Sequence, residues 1–226
     1  MQGMLNPSIH IFDIRVDEPV TTITDILVSV VCFYAWSRLR PRKENKTVNL
    51  FSWFFLLMAI ATLIGGLIGH AFLYALSFPW KLPGWIISML SINLLERGVI
   101  RYSDPLMKPP VSKFFSRFNI LELVVFAGLA FGTLNFRFVE IHSAYGIMVV
   151  VFGFALFNYI RGNRGPVPRN LIIGVAFALL AAIIFTARLS ISKWFNYIDI
   201  SHVLMALTAI FFYRAAQSID SDPAQN

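Results

Sequence analysis

The sequence predicts an all-α bundle of seven membrane-spanning helices, with the N-terminus outside and the C-terminus cytoplasmic. Three observations predict it. Seven long apolar stretches tile the chain. Of its 226 residues 57% are hydrophobic and 14% charged, with a mean hydropathy of +0.68, which is too apolar for a soluble domain. The basic residues gather in alternate connections, which sets the orientation.

The expected spans are 19–38, 49–77, 84–101, 118–136, 139–160, 169–188 and 195–216. At roughly 20 residues per span and short loops, seven helices use up the chain. It divides into an external segment 1–18, a membrane domain 19–216 and a cytoplasmic tail 217–226, where the polar run SIDSDPAQN predicts disorder. Span one opens at Glu18-Pro19, and proline suits a first helical position. Span two is long and carries Gly65 and Gly66, which predicts a tilt or kink. The intervening stretches RLRPRKENK, FPWKLPG, DPLMKPPVSK, RGNRGPVPRN and ARLSISKW supply turn formers and charge. The single cysteine, Cys32, lies inside span one and reads as a packing residue, which excludes a disulfide framework and a thiolate metal site. The start of the chain lacks a basic region followed by an apolar core, so no cleavable signal peptide is expected.

Orientation rests on the connections. Arg38, Arg40, Arg42, Lys43 and Lys46 follow span one, and Arg97, Arg101, Lys108, Lys113 and Arg117 surround the connection after span three. Arg161, Arg164 and Arg169 flank the connection after span five, and Arg214 ends span seven, so most of the 19 Lys and Arg fall on one side. That side is cytoplasmic by the positive-inside rule. The net charge of +7 then marks topology and contact with anionic lipids, with no indication of nucleic-acid binding. Asn45-Lys46-Thr47 is a glycosylation sequon on the side where it would stay unmodified. The expectation is a multi-pass integral membrane protein, in the plasma (inner) membrane if the cell is bacterial.

Ionisable residues inside a bilayer are expensive and default to a functional reading. Glu18, Asp25, His70, His142, Asp199 and His202 fall at one depth near the outer ends of four spans, which predicts one polar pocket. Glu18, Thr21, Thr22, Asp25 and Ser29 share one helical face. Capping accounts for Glu18 at the positive end of the helix dipole, but Asp25 lies two turns in and reads as a site residue. Thr62, Gly66, His70 and Tyr74 repeat every four residues, and the glycines permit close helix approach. Asp199 and His202 are i, i+3 neighbours able to converge on a ligand. His142, with Glu140 beside it, reads as structural. Two His and one Asp fill three tetrahedral zinc positions and leave a fourth open, so His70, His202 and Asp199 are the expected zinc ligands. Asp25 would orient water or a ligand, and Glu18 would gate the mouth or help hold a second cation. Such a centre at the outer headgroup level suits hydrolysis of a lipid amide or ester.

This layout resembles the alkaline ceramidase, progestin and adiponectin receptor and Per1-like superfamily of seven-span metal-dependent hydrolases. Asp17-Glu18-Pro19 with Thr22 and Asp25 resembles the acidic start of the first helix of alkaline ceramidases, where calcium is held. His70 resembles their helix-two zinc histidine, and His202 one of their helix-seven histidines. The resemblance implies zinc, a calcium ion near Asp17, Glu18 and Asp25, and a lipid substrate. It covers span count, orientation and site depth. The chain departs from it at Gly66, where the family has serine, and at Ala206, where the second helix-seven histidine would stand. The helix-three aspartate has no counterpart, since span three offers Asn93 and Glu96.

Three rival classes stay open. A haem protein would pair His70 with His142 or His202. A transporter would use Asn93, Glu96 and Glu122. A non-enzymatic scaffold or lipid-binding protein predicts no bound metal.

Overall fold

Proline at the first helical position and a left-handed residue before it start the first of seven helices. That residue is Glu18 (φ 44, ψ 53). A computed structural model describes residues 7–222 of the chain. Ahead of the helices, β1 (Ser8–Ile11) and β2 (Ile14–Asp17) form an antiparallel hairpin with Ser8 opposite Asp17 and Ile11 opposite Ile14. Its two-residue turn, Phe12-Asp13, has positive φ at both positions, the geometry that matches strand twist in tight hairpins. The hairpin is not among the expected elements. It ends with the Glu18 amide donating to the Pro7 carbonyl at 2.8 Å.

The helices are α1 (Pro19–Leu39), α2 (Lys46–Ala71), α3 (Leu82–Tyr102), α4 (Pro109–Thr133), α5 (Arg137–Ile160), α6 (Pro166–Ala187) and α7 (Tyr197–Gln217). The fold is all-α apart from the hairpin. Each helix packs on the next and α7 returns to α1, so the bundle closes as a ring, with α3 also touching α5. Among the described residues, six helices are long and apolar enough to cross a membrane. α3 is close to them in length but carries Glu96, Arg97 and Arg101; Ser91, Asn93 and Glu96 are buried, while Arg101 is exposed. Outward-facing Phe114, Phe118, Leu121, Val124, Leu129 and Phe131 leave α4 with an apolar exposed surface.

Local chemistry explains most helix ends. The Asn45 side chain accepts from the amides of Thr47 and Val48, capping α2, so the asparagine of the sequon has a structural task. Asn196 and Asp199 form a reciprocal capping box on α7. Pro109 and Pro166 sit in the first turns of α4 and α6. α2 and α5 each contain a seven-residue π-helical stretch, Gly65–Ala71 and Tyr145–Val151, a wide-turn geometry frequent at functional sites.

Two boundaries differ from expectation. Span two was expected to reach residue 77 but ends at Ala71, because the π turn spends the helix and an extended Leu76 follows. Span four begins at Pro109, nine residues ahead of the expected 118. The tail is also ordered as far as Asp222. Asp220 accepts from Arg42 Nε and Asn45 Nδ2, both at 2.7 Å, and Asp222 accepts from the Tyr102 hydroxyl at 2.5 Å. Residues 223–226 of the expected disordered tail lie outside the described residues.

Candidate functional site

The first turns of α1 and α7 and the π turn of α2 meet at the hairpin end of the bundle. They bring together Glu18, Asp25, His70, Asp199 and His202, the five residues expected to form the site. Gly66 makes the approach possible. A Cβ there would lie 2.9 Å from the Asp25 Cβ and 3.2 Å from the Thr22 carbonyl oxygen, so only glycine lets α2 come this close. Thr22 seals the contact by donating to the Gly66 carbonyl at 3.3 Å.

Asp25 is the hub. Its Oδ2 lies 3.8 Å from His70 Nε2 and its Oδ1 lies 3.5 Å from His202 Nε2. Both separations exceed an ordinary hydrogen bond. The protons on the two rings can be placed from their other contacts. His70 Nδ1 lies 2.5 Å from Glu18 Oε2; a carboxylate only accepts, so the proton is on Nδ1. His202 Nδ1 lies 3.1 Å from Thr24 Oγ1, and the Thr24 hydroxyl donates its hydrogen to the Thr21 carbonyl at 3.0 Å. Thr24 therefore accepts from His202 Nδ1. For neutral rings both Nε2 atoms present lone pairs to a carboxylate. Three electron-rich groups face one another, and the arrangement is favourable only with a cation or a proton between them.

Ligands bound at about 2 Å in tetrahedral geometry are separated by about 3.4 Å, near both Asp25–imidazole distances, but the ligand atoms of Asp25, His70 and His202 do not all lie within 4.8 Å of one another, so a shared ion requires the two imidazoles to close on it. Each ring is also held at its other nitrogen, as metal-binding histidines are. The two ring centroids are 6.3 Å apart, so Asp25 stands between the imidazoles.

Asp199 has a different task from the ligand role expected of it. Its Oδ1 accepts from the Thr21 hydroxyl at 2.6 Å and its Oδ2 from the Asn196 amide at 2.6 Å. It caps α7 and ties it to α1, while Asp25 occupies the carboxylate position between the histidines. Glu18 holds His70, whose other nitrogen faces Asp25, while Asp17, of the expected calcium site, pairs instead with Arg15 at 2.6 Å. Beside them, burial pushes the Lys81 ammonium below its ordinary pKa while the Glu18 carboxylate draws it upward.

The expected single pocket is in fact two. His142 lies apart from the others, fully buried against Glu122 of α4, with Nδ1 at 2.7 and 2.9 Å from the carboxylate oxygens and Nε2 at 3.0 Å from the Met89 carbonyl. Glu140, its sequence neighbour, is not its partner in these contacts. Glu96 and Asn119 complete this inner group, with Asn119 Nδ2 donating to Glu96 Oε2 at 2.8 Å. Among the described residues, Glu96, Glu122 and His142 form the one trio of His, Cys, Asp or Glu whose ligand atoms all lie within 4.8 Å of one another. The sequence reading missed this grouping. The signal available was Glu122 itself, a carboxylate inside an apolar stretch that requires a buried partner.

The sequence model of a family of unknown function matches residues 20–221, most of the chain and all seven helices apart from the first residue of α1. No curated protein and no solved structure matches it.

Proposed function

Because this chain belongs to the family DUF6962, whose function is unknown, its role has to be read from its own side chains, and we propose that it is a membrane hydrolase. In this reading it spans the bilayer seven times with its N-terminus outside. It uses a metal held by Asp25, His70 and His202 to cleave a lipid amide or ester at the outer face. The observation that carries the reading is the pair of imidazole Nε2 atoms turned toward opposite oxygens of Asp25.

Asp25, His70 and His202 would hold a divalent metal there, which would supply Lewis acidity to polarise a carbonyl and lower the pKa of water. The chain's own groups do the rest. Glu18 and Thr24 fix the two imidazoles through their Nδ1 protons. Asp199 holds Thr21, on the turn of α1 that also carries Thr24, so the first turns of α1 and α7 keep their register. His70 and His202 remain partly exposed, with 20% and 13% of their side chains accessible, so a substrate can approach from the hairpin end.

The surroundings support a lipid substrate. Phe12 is almost fully exposed at the hairpin tip, and Trp80 and Trp194 are exposed in the connections at the same end, where aromatic rings suit the headgroup level. The opposite end carries the basic connections, which supports a cytoplasmic placement for it. α3 supports the seventh span, since its Glu96 is buried within protein and Arg97 and Arg101 lie toward the end that carries the basic connections.

A non-enzymatic scaffold, with a proton in place of the metal, shares this geometry and is the alternative that the test separates. Detergent-purified protein would be given lipid amides and lipid esters, before and after chelation and zinc re-addition. The expected result is hydrolysis lost on chelation, restored by zinc, and abolished in Asp25→Asn. Turnover indifferent to chelation and to Asp25→Asn overturns the metal mechanism, and no turnover of any lipid amide or ester overturns the hydrolase reading.

A further inference from the structure

We propose that Glu96, Glu122 and His142 form a second divalent-cation site, enclosed within the bundle, that clamps α4 to α3 and α5. This inference is independent of the hairpin-end site and shares no residue with it.

The protonation of His142 is the first argument. Its Nε2 lies 3.0 Å from the Met89 carbonyl, and a backbone carbonyl only accepts, so the proton is on Nε2. Nδ1, at 2.7 and 2.9 Å from the Glu122 oxygens, is then a second N–H donor in an imidazolium or, with a cation seated beside the carboxylate, a lone-pair ligand whose second nitrogen is held by a carbonyl.

An unpartnered atom is the second. Glu96 is fully buried, and its Oε1 has no hydrogen-bond partner; neither has the buried Asn119 Oδ1. An orphaned carboxylate oxygen in a low-dielectric interior is costly, and a cation bound beside it removes that cost. Two carboxylates and a neutral imidazole also balance the charge of a divalent ion, whereas an imidazolium offsets only one of the two glutamates.

Room has been kept for Glu96. A Cβ on Gly146, in the π-helical stretch of α5, would overlap Glu96 Oε1 and the Ile92 side chain. The π turn and its glycine therefore admit a carboxylate where a side chain would exclude it.

The clamp has a mechanical reason. The buried residues of α4 are Asn119, Glu122 and Ala130, so two of the three belong to this polar group. Beside partly buried Phe115, Leu123, Phe126 and Ala127, Asn119 and Glu122 are the deepest points at which α4 meets its neighbours. Carboxylate oxygens with one imidazole nitrogen suit manganese, iron or zinc. Full enclosure of Glu96 and His142 favours a structural ion over one that meets substrate.

The test uses the full chain in detergent, expressed with added Mn2+ and purified without chelators. The background is the double variant His70→Ala/His202→Ala, which empties the hairpin-end site. The expected result is about one Mn2+ per chain in that background, with electron paramagnetic resonance showing coupling to an imidazole nitrogen. Adding Glu96→Gln should remove the ion and lower the melting temperature. A background variant without bound Mn2+ or Zn2+ overturns the proposal, as does a Glu96→Gln chain with unchanged metal content. The imidazole coupling is read with the trio intact, so a misfolded Glu96→Gln leaves the test standing. Failure of the hairpin-end reading would look different, since the wild type and the double variant would then hold equal metal.

Discussion

Glu18 holds the His70 ring through Nδ1 at 2.5 Å, which turns Nε2 of that ring toward Asp25. Partners of this kind orient a metal ligand and raise its basicity without touching the metal. Glu18→Gln should therefore weaken metal affinity by about 10–100-fold while leaving some binding. Competition with a chelator of known affinity measures it, and an unchanged affinity would give Glu18 a capping role only.

Asp199 separates two tasks that the sequence merged. Asp199→Ala removes the capping box and the Thr21 bond, and losing a cap costs about 0.5–2 kcal/mol. The melting temperature should fall while metal stays bound. Loss of metal with unchanged stability would instead restore Asp199 as a ligand.

Gly66 sets the distance between α1 and α2. Gly66→Ala places a methyl group 2.9 Å from the Asp25 Cβ, and overpacking of this kind costs about 1–3 kcal/mol. Because the displaced residue is the hub of the site, metal affinity should fall with stability. A chain of wild-type stability and affinity would show that the helices relax apart without consequence.

Orientation is open to a direct test. Cys32 is fully buried, so new cysteines can be read against little background. Phe12→Cys should react with an impermeant maleimide added to intact cells, and Lys43→Cys should react only after lysis. The reverse pattern would place the site on the cytoplasmic side.

Much of this architecture was legible in the sequence, for a simple reason. Apolar periodicity and Pro, Asn and Asp at helix starts are local signals, and the alternation of basic loops adds up along the chain. The common depth of the four residues around Asp25 could be counted, because each lies within two turns of a helix end, but their partners could not. The cap at Asp199 was not foreseen because i, i+3 spacing serves a capping box and a ligand pair equally, and Asn196 supplies the other half of the cap. The inner trio was missed through one boundary. A fourth span expected from residue 118 places Glu122 in its first turn, at the interface. The helix starting at Pro109 places it more than three turns in, about 20 Å along the axis, where it meets His142. The hairpin was not foreseen because its turn, Phe12-Asp13, lacks the glycine or asparagine that usually marks two positive φ values.

The central claim is that Asp25, His70 and His202 bind one metal together. Metal content per chain of the detergent-purified protein, wild type beside Asp25→Ala, His70→Ala and His202→Ala, tests it most directly. The account predicts that each variant holds one equivalent less than the wild type. A wild type without metal after chelator-free purification, or variants that all keep the wild-type content, would contradict it.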